Sequence, residues 1–186
     1  AKRIRINVGF EVDYLVDFEE WTAKFLDQVG PATQDNLLMV RLMPGRDHQL
    51  WSLDGGHAQA ADGFSDTFKF PQQFYDEYYT LLLRAVHANL GVYQPLRVSG
   101  FDQVRRYQDY FGLPRTLDPL NELTVMRILY ALRARRGSID LDVSGLFDED
   151  CNEVLPARWV RKRAQALGIP LVCGSGARDV ADVGRA

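Results

Sequence analysis

Cysteine is nearly missing from this 186-residue chain: Cys151 and Cys173 are the only two. That excludes a disulfide framework and a cysteine-rich zinc site. Histidine is almost as scarce, and His48, His57 and His87 form no H-x-H or H-x-x-x-H pair with ligand spacing. No run approaches the ~20 apolar residues of a membrane span. The opening AKRIRINVGF is charged and lacks the apolar stretch of a secretory signal. Neither sign of charge dominates, since 22 Lys and Arg against 25 Asp and Glu leave a net −3. A dedicated nucleic-acid binder would show a basic excess instead. What is present is ordinary globular material, 46% apolar and 25% charged, in a length suited to one domain. The expectation is a cytoplasmic protein, one domain over residues 1–186, with neither nucleic acid nor membrane as partner.

Hydrophobic periodicity gives the architecture. Ile4, Ile6, Val8 and Phe10 alternate with Arg3, Arg5, Asn7 and Gly9, predicting a strand over residues 4–10. Asp17 with Glu20 reads as a capping box for a helix carrying Trp21, Phe25, Leu26 and Val29, stopped by Gly30-Pro31. LLMVRL at 37–42 reads as a buried strand, and 43–70 as a long loop rich in Gly, Asp and His. Pro71 opens an aromatic-rich helix running to Gly91, and 96–98 is a brief strand. Residues 102–111 suit a short helix with Arg105 and Arg106 solvated. Asp118-Pro119 starts another helix, whose terminal Arg133, Arg135 and Arg136 lie where the helix dipole favours cations. Strands at 139–143 and 169–173 flank a helix from Pro156 to Gly168, and a last helix begins near Asp179. Five strand–helix units predict an α/β fold with a parallel sheet. Five cannot close a barrel, so the sheet is either open and doubly wound or part of a barrel whose first strands lie elsewhere.

Chemistry in such folds sits at the carboxyl ends of the strands. There the sequence places Glu11 and Asp13, then Arg41, then Ser99, Gly100 and Asp102, then Asp142 and Ser144, and lastly Gly174, Ser175, Gly176 and Arg178. Any single one of these also reads as a solvated loop end or a cap. GSGA at 174–177 lacks the lysine of a P-loop, and no G-x-G-x-x-G follows a strand. Ser144 and Ser175 lack the G-x-S-x-G elbow of a serine hydrolase. Cys173, in an apolar run, reads as core packing.

Taken together, several stretches resemble the polymerase and histidinol phosphatase (PHP) family, in its histidinol-phosphatase branch. GFEVDY at 9–14 resembles that family's G-x-E-x-D-Y strand end. LLMVRL, with Trp51-x-x-Asp54 after it, resembles the I-G-S-V-H strand and its loop. SGFDQVRRY at 99–107 resembles G-H-x-D-x-x-x-R-Y, and DLDVSGL at 140–146 resembles E-x-N-T-S-G-L. GIPLVCGSGARDVADVG at 168–184 resembles G-I-P-[LIV]-x-x-G-S-D-A-H-x-x-x-x-V-G. The motifs stand in family order across nearly the whole chain.

The resemblance implies a distorted (βα)₇ barrel whose carboxyl face holds two or three divalent metals (Mn, Zn or Fe) and hydrolyses phosphate monoesters. This chain would be its C-terminal portion, a partial TIM-like barrel of parallel strands without the family's first ones. Carried over by position, Glu11 keeps the bridging carboxylate and Asp102 is retained. Arg41 and Gly100 stand where the V-H and G-H histidines would be, Gly176 and Arg178 replace the Asp and His of G-S-D-A-H, and Asp142 replaces an Asn. The opening D-x-H-x-H strand has no counterpart. Arginine has no acceptor lone pair and stays protonated, and glycine offers no ligand.

The expectation is a pseudoenzyme acting through binding or assembly, with no cofactor, and with Glu11 as the one ligand kept. A homodimer or a partner chain should cover the open sheet edge, because unpaired edges invite strand addition. Two alternatives stand beside it. One is a working metal-dependent histidinol phosphatase, its ligands recruited from Glu11, Asp13, His48 and His57. The other is a metal-free module in which Arg41 and Arg178 hold a phosphate-bearing small molecule. If the metals are lost, Arg41 and Arg178 should replace their charge by pairing with Glu11, Asp13 or Asp142.

Overall fold

The computed structural model describes residues 6–174, 177 and 179–182. Its strands are β1 (Glu11–Asp13), β2 (Leu37–Met39), β3 (Leu42–Pro44), β4 (Leu50–Ser52), β5 (Arg97–Val98), β6 (Ser138–Asp142) and β7 (Leu171–Gly174). Its helices are α1 (Glu19–Val29), α2 (Gly56–Phe64), α3 (Pro71–His87), α4 (Pro119–Ala134) and α5 (Arg158–Ala166). Five strands form one parallel sheet in the order β1-β2-β5-β6-β7, and β3 and β4 pair apart as an antiparallel hairpin. The order follows the chain without reversal, so the switch point of a doubly wound sheet is missing. The sheet does not close, and β1 and β7 each have one neighbour among the described residues.

Register explains how the site is built. Val12 pairs with Leu38, Leu38 with Val98, Val98 with Ile139, and Ile139 with Leu171. The first four are buried in the core with Tyr75, Tyr78 and Leu82 of α3, Ile128 and Leu129 of α4, and Val160 and Ala164 of α5. Successive strand residues point to opposite faces. Glu11, Leu37, Met39, Arg97, Ser99, Asp140 and Asp142 therefore lie on the face away from this core, and all of them line one cavity. Helices cover one face and the cavity occupies the other.

Several local expectations hold. Asp118 caps α4 by accepting a 2.8 Å bond from the Asn121 amide, with Pro119 in the first turn, as capping chemistry requires. Others are corrected. Ile6, Val8 and Phe10 are exposed outside any strand; the rest of the 4–10 prediction lies outside the described residues. Side-chain amides hold this stretch: the Val8 and Phe10 amides donate to Gln34 Oε1 (3.0 Å) and Asn36 Oδ1 (2.9 Å). The paired strand begins only at Glu11, just past the end of the predicted span.

α1 begins at Glu19 without a side-chain cap, because Asp17 is turned into the left-handed region (φ 69°). LLMVRL is not one strand. It leaves the sheet after Met39, and Leu42 enters the hairpin. An arginine is too costly to bury in such a strand unless it is paired, and Arg41 at the break faces three carboxylates. The expected long loop holds that hairpin and α2. α3 stops at His87, short of Gly91, which occupies a left-handed turn (φ 83°) beyond it. Residues 102–111 contain a 3₁₀ turn, Gln103–Tyr107, in place of a helix, and the described part of the last predicted helix is a 3₁₀ turn, Val180–Asp182. Cys173 is exposed, whereas Cys151 is buried.

Candidate functional site

The cavity holds about 610 Å³ at the carboxyl ends of the parallel strands. Besides the strand residues above, Asp54 reaches it from the segment after β4, His57 from α2, Gln103 and Arg106 from the 3₁₀ turn, and Ser144 and Asp148 from the loop after β6. Three guanidiniums organise its carboxylates.

Arg41 is the first. Its Nη2 donates to Glu11 Oε2, and its Nε stands 3.5 Å from Asp13 Oδ1 and 3.3 Å from Asp54 Oδ2. Ser99 Oγ donates to the other Glu11 oxygen at 2.7 Å, and Gln103 Nε2 donates to Asp54 Oδ1 at 2.6 Å. The backbone at Arg41 is held as well: its carbonyl accepts from the Leu53 amide (2.8 Å), and the Leu53 carbonyl accepts from Tyr107 Oη (2.7 Å). Burial pushes the Asp13 carboxyl above its ordinary value, against the opposing pull of Arg41.

Arg106 is the second. Its Nη2 donates to Asp142 Oδ2 at 2.7 Å and to Ser144 Oγ, its Nε donates to Gln103 Oε1 at 3.2 Å, and its Nη1 lies 3.6 Å from Asp148. The third, Arg97, donates to Asp35 Oδ2 at 2.6 Å and stands 3.3 Å from Asp140 Oδ1. Burial pushes the Asp140 carboxyl up, with Arg97 opposing it.

Of the positions singled out from the sequence, Glu11, Gly100 and Asp142 line the cavity and Arg41 stands against Glu11. Gly100 adopts φ 57°, and its carbonyl accepts from Tyr78 Oη. Gly176, Arg178 and Ser175 lie outside the described residues. Asp102 is corrected: it is fully buried and does not line the cavity. It accepts from Tyr79 Oη (2.9 Å) and the Ala157 amide (2.7 Å), and burial, opposed by Arg105, raises its carboxyl. It is an internal brace, because a buried acid persists only where donors satisfy it.

Arg105 and Arg106 are corrected too, being 3% and 22% exposed and ion-paired, not solvated. His57 reaches the cavity rim, paired with Asp150 and stacked on Tyr110 at 4.7 Å, while His48 lies in a different hollow with Arg46 and Glu77. The two therefore do not converge on Glu11. Arg97, Arg106 and Asp140 escaped the sequence reading as site residues. Their signal was polarity at alternate positions, Arg97-Val98-Ser99 and Asp140-Leu141-Asp142, in strands that run apolar when both faces are buried.

An open, sequentially ordered parallel sheet with a charged cavity at its strand ends defines an α/β ligand-site architecture. No family model matches the chain. It is 29% identical over 184 residues to a curated histidinol-phosphatase of Bacillus subtilis (strain 168), covering 99% of this chain and 67% of that protein. A crystal structure of a candidate histidinol phosphatase from Listeria monocytogenes superposes with a TM-score of 0.91 at 28% identity, covering 96% of this chain and 66% of that one. The chain thus spans about two thirds of the length of each relative. Over nearly its whole length it is similar to proteins called histidinol phosphatases, in line with its resemblance to the PHP family.

That family implies divalent metals, and the donors among the described residues do not fit them. Guanidiniums sit between the carboxylates where a cation would have to draw those oxygens together. Both Glu11 oxygens are engaged, by Arg41 and Ser99, and both Asp142 oxygens, by Arg106 and the Ser144 amide. Among the described residues no group of three His, Cys, Asp or Glu is placed to hold a metal ion. Among the described residues, too, no helix is long and apolar enough to cross a membrane.

Proposed function

We propose that this histidinol-phosphatase-like chain uses its cavity as a metal-independent binding site for a small molecule and does not hydrolyse phosphate esters. The observation supporting this is the seat of Arg41, whose one guanidinium serves Glu11, Asp13 and Asp54 together. A fixed side-chain cation there supplies the charge that a metal would supply, but it cannot ionise a bound water as a metal does. The open sheet is read as an arc of a TIM-like barrel, because its strand order never reverses and its helices and cavity take opposite faces. On this reading a second copy or a partner chain pairs beside β1, and light scattering should find an assembly larger than one chain.

The test of function joins elemental analysis of the purified protein to phosphatase assays. The substrates are histidinol phosphate and an aryl phosphate, with Mn²⁺, Zn²⁺ or Fe²⁺ added. No stoichiometric metal and no turnover above background are expected. A second reading, a metal-dependent phosphoesterase, is favoured by what the Bacillus and Listeria relatives are called. Turnover that disappears in Glu11→Gln would establish that reading and reject the first. An anion site built on Arg41 has less support, because that guanidinium is taken up by three carboxylates.

A further inference from the structure

We propose that the cavity receives an organic cation bearing primary ammonium groups, and not a phosphate; this rests on the metal-independent reading above. The first argument is charge. Arg41 faces Glu11, Asp13 and Asp54; Arg97 faces Asp35 and Asp140; Arg106 faces Asp142 and Asp148. Five carboxylates line the cavity itself, Glu11, Asp54, Asp140, Asp142 and Asp148, with the guanidiniums of Arg97 and Arg106. Counting also Arg41, which pairs with Glu11 and Asp54, an excess of two negative charges remains among the described residues. A cleft lined by one sign of charge concentrates ligands of the other sign and repels its own. A dianionic phosphate is disfavoured there, and an ammonium is drawn in.

The second argument is independent of the total. Asp140 is 9% exposed and lines the cavity, yet its Oδ1 receives no hydrogen bond. Arg97 stands 3.3 Å away, but its close bond, 2.6 Å, goes to Asp35. A buried acceptor without a donor is costly, and an ammonium N–H is the group that would satisfy it.

The third argument is access. A Cβ at Gly174 would fall 2.5 Å from Asp140 Oδ2, so glycine at this position keeps the approach to that carboxylate open. The cavity volume, about 610 Å³, lies within the range of small-molecule sites. A divalent ion would need several oxygens at ~2.0–2.6 Å, and Arg41 and Arg106 stand between the oxygens available.

The experiment is calorimetric titration of the whole chain with putrescine, with inorganic phosphate and with Mn²⁺, each separately. Putrescine should bind one to one, more weakly as NaCl rises, and phosphate should give no heat. Asp140→Asn should weaken putrescine about tenfold, the scale of one charge-assisted hydrogen bond. Gly174→Ala, which crowds the same carboxylate, should weaken it at least as much. Thermal melts establish that each variant is folded, and if Asp140→Asn is not, the Gly174→Ala result and the salt dependence decide. Phosphate binding without putrescine binding would overturn the proposal and leave the metal-independent reading standing. Silence from all three ligands would do the same. Stoichiometric Mn²⁺ binding would overturn both.

Discussion

Replacing Arg41 by alanine removes the one cation shared by Glu11, Asp13 and Asp54. Its side chain is 29% exposed and that of Asp54 13%, so the cluster lies between two known regimes. A solvent-exposed ion pair is worth ~1 kcal/mol or less, and breaking a buried one costs ~3–5 kcal/mol. A half-buried guanidinium with three acceptors should cost about 2–3 kcal/mol. At ~2–4 °C per kcal/mol for a chain of this size, Tm falls by about 4–12 °C.

The loss depends on pH. Burial already holds the Asp13 carboxyl above its ordinary 3.8, and Arg41 is the chief opposing influence, so without Arg41 it rises further. A group whose folded value exceeds its unfolded one contributes stability below the unfolded value and loses it as pH rises through the folded value. The Arg41→Ala deficit is therefore largest at pH 7 and shrinks on acidification toward the ordinary aspartate range. Urea unfolding followed by circular dichroism at pH 7 and pH 5 reads both quantities. Arg41→Met, which keeps the apolar stem, should lose nearly as much as alanine. An alanine variant as stable as the parent, or a deficit unchanged with pH, would refute the charge argument.

Asp102→Ala should destabilise by ~2–6 kcal/mol in urea unfolding, because it leaves two buried donors, the Tyr79 hydroxyl and the Ala157 amide, without their acceptor; a loss under ~1 kcal/mol would deny the bracing role. Asp118→Ala should cost ~1 kcal/mol through the lost cap of α4, measured by thermal melt and recovered in Asp118→Ser. Asp140→Asn should flatten the stability profile above pH 4: the raised Asp140 carboxyl makes the parent lose stability as pH rises through its folded value, and asparagine does not titrate. Parallel profiles for parent and variant would contradict that assignment.

The local signals were decided by sequence. The strand–helix alternation and the start of α4 at Asp118-Pro119 rest on periodicities and caps that span a few residues, and they appear in the fold. Glu11 and Asp142 could be placed at strand ends for the same reason. The pairing of Arg41 with Glu11 and Asp13 was expected from the sequence and is present, but the strand break at Arg41 was not legible, because it depends on the hairpin that leaves the sheet after Met39. Arg106 looked like a solvated cation until the fold brought in Asp142, 36 residues away. Asp102 looked like a rim acid until Tyr79 and Ala157 enclosed it, 23 and 55 residues distant. Which polar residues share one face, and so which charges meet in the cavity, follows from sheet register. Register is set by strands far apart in the chain, and only the tertiary structure decided it.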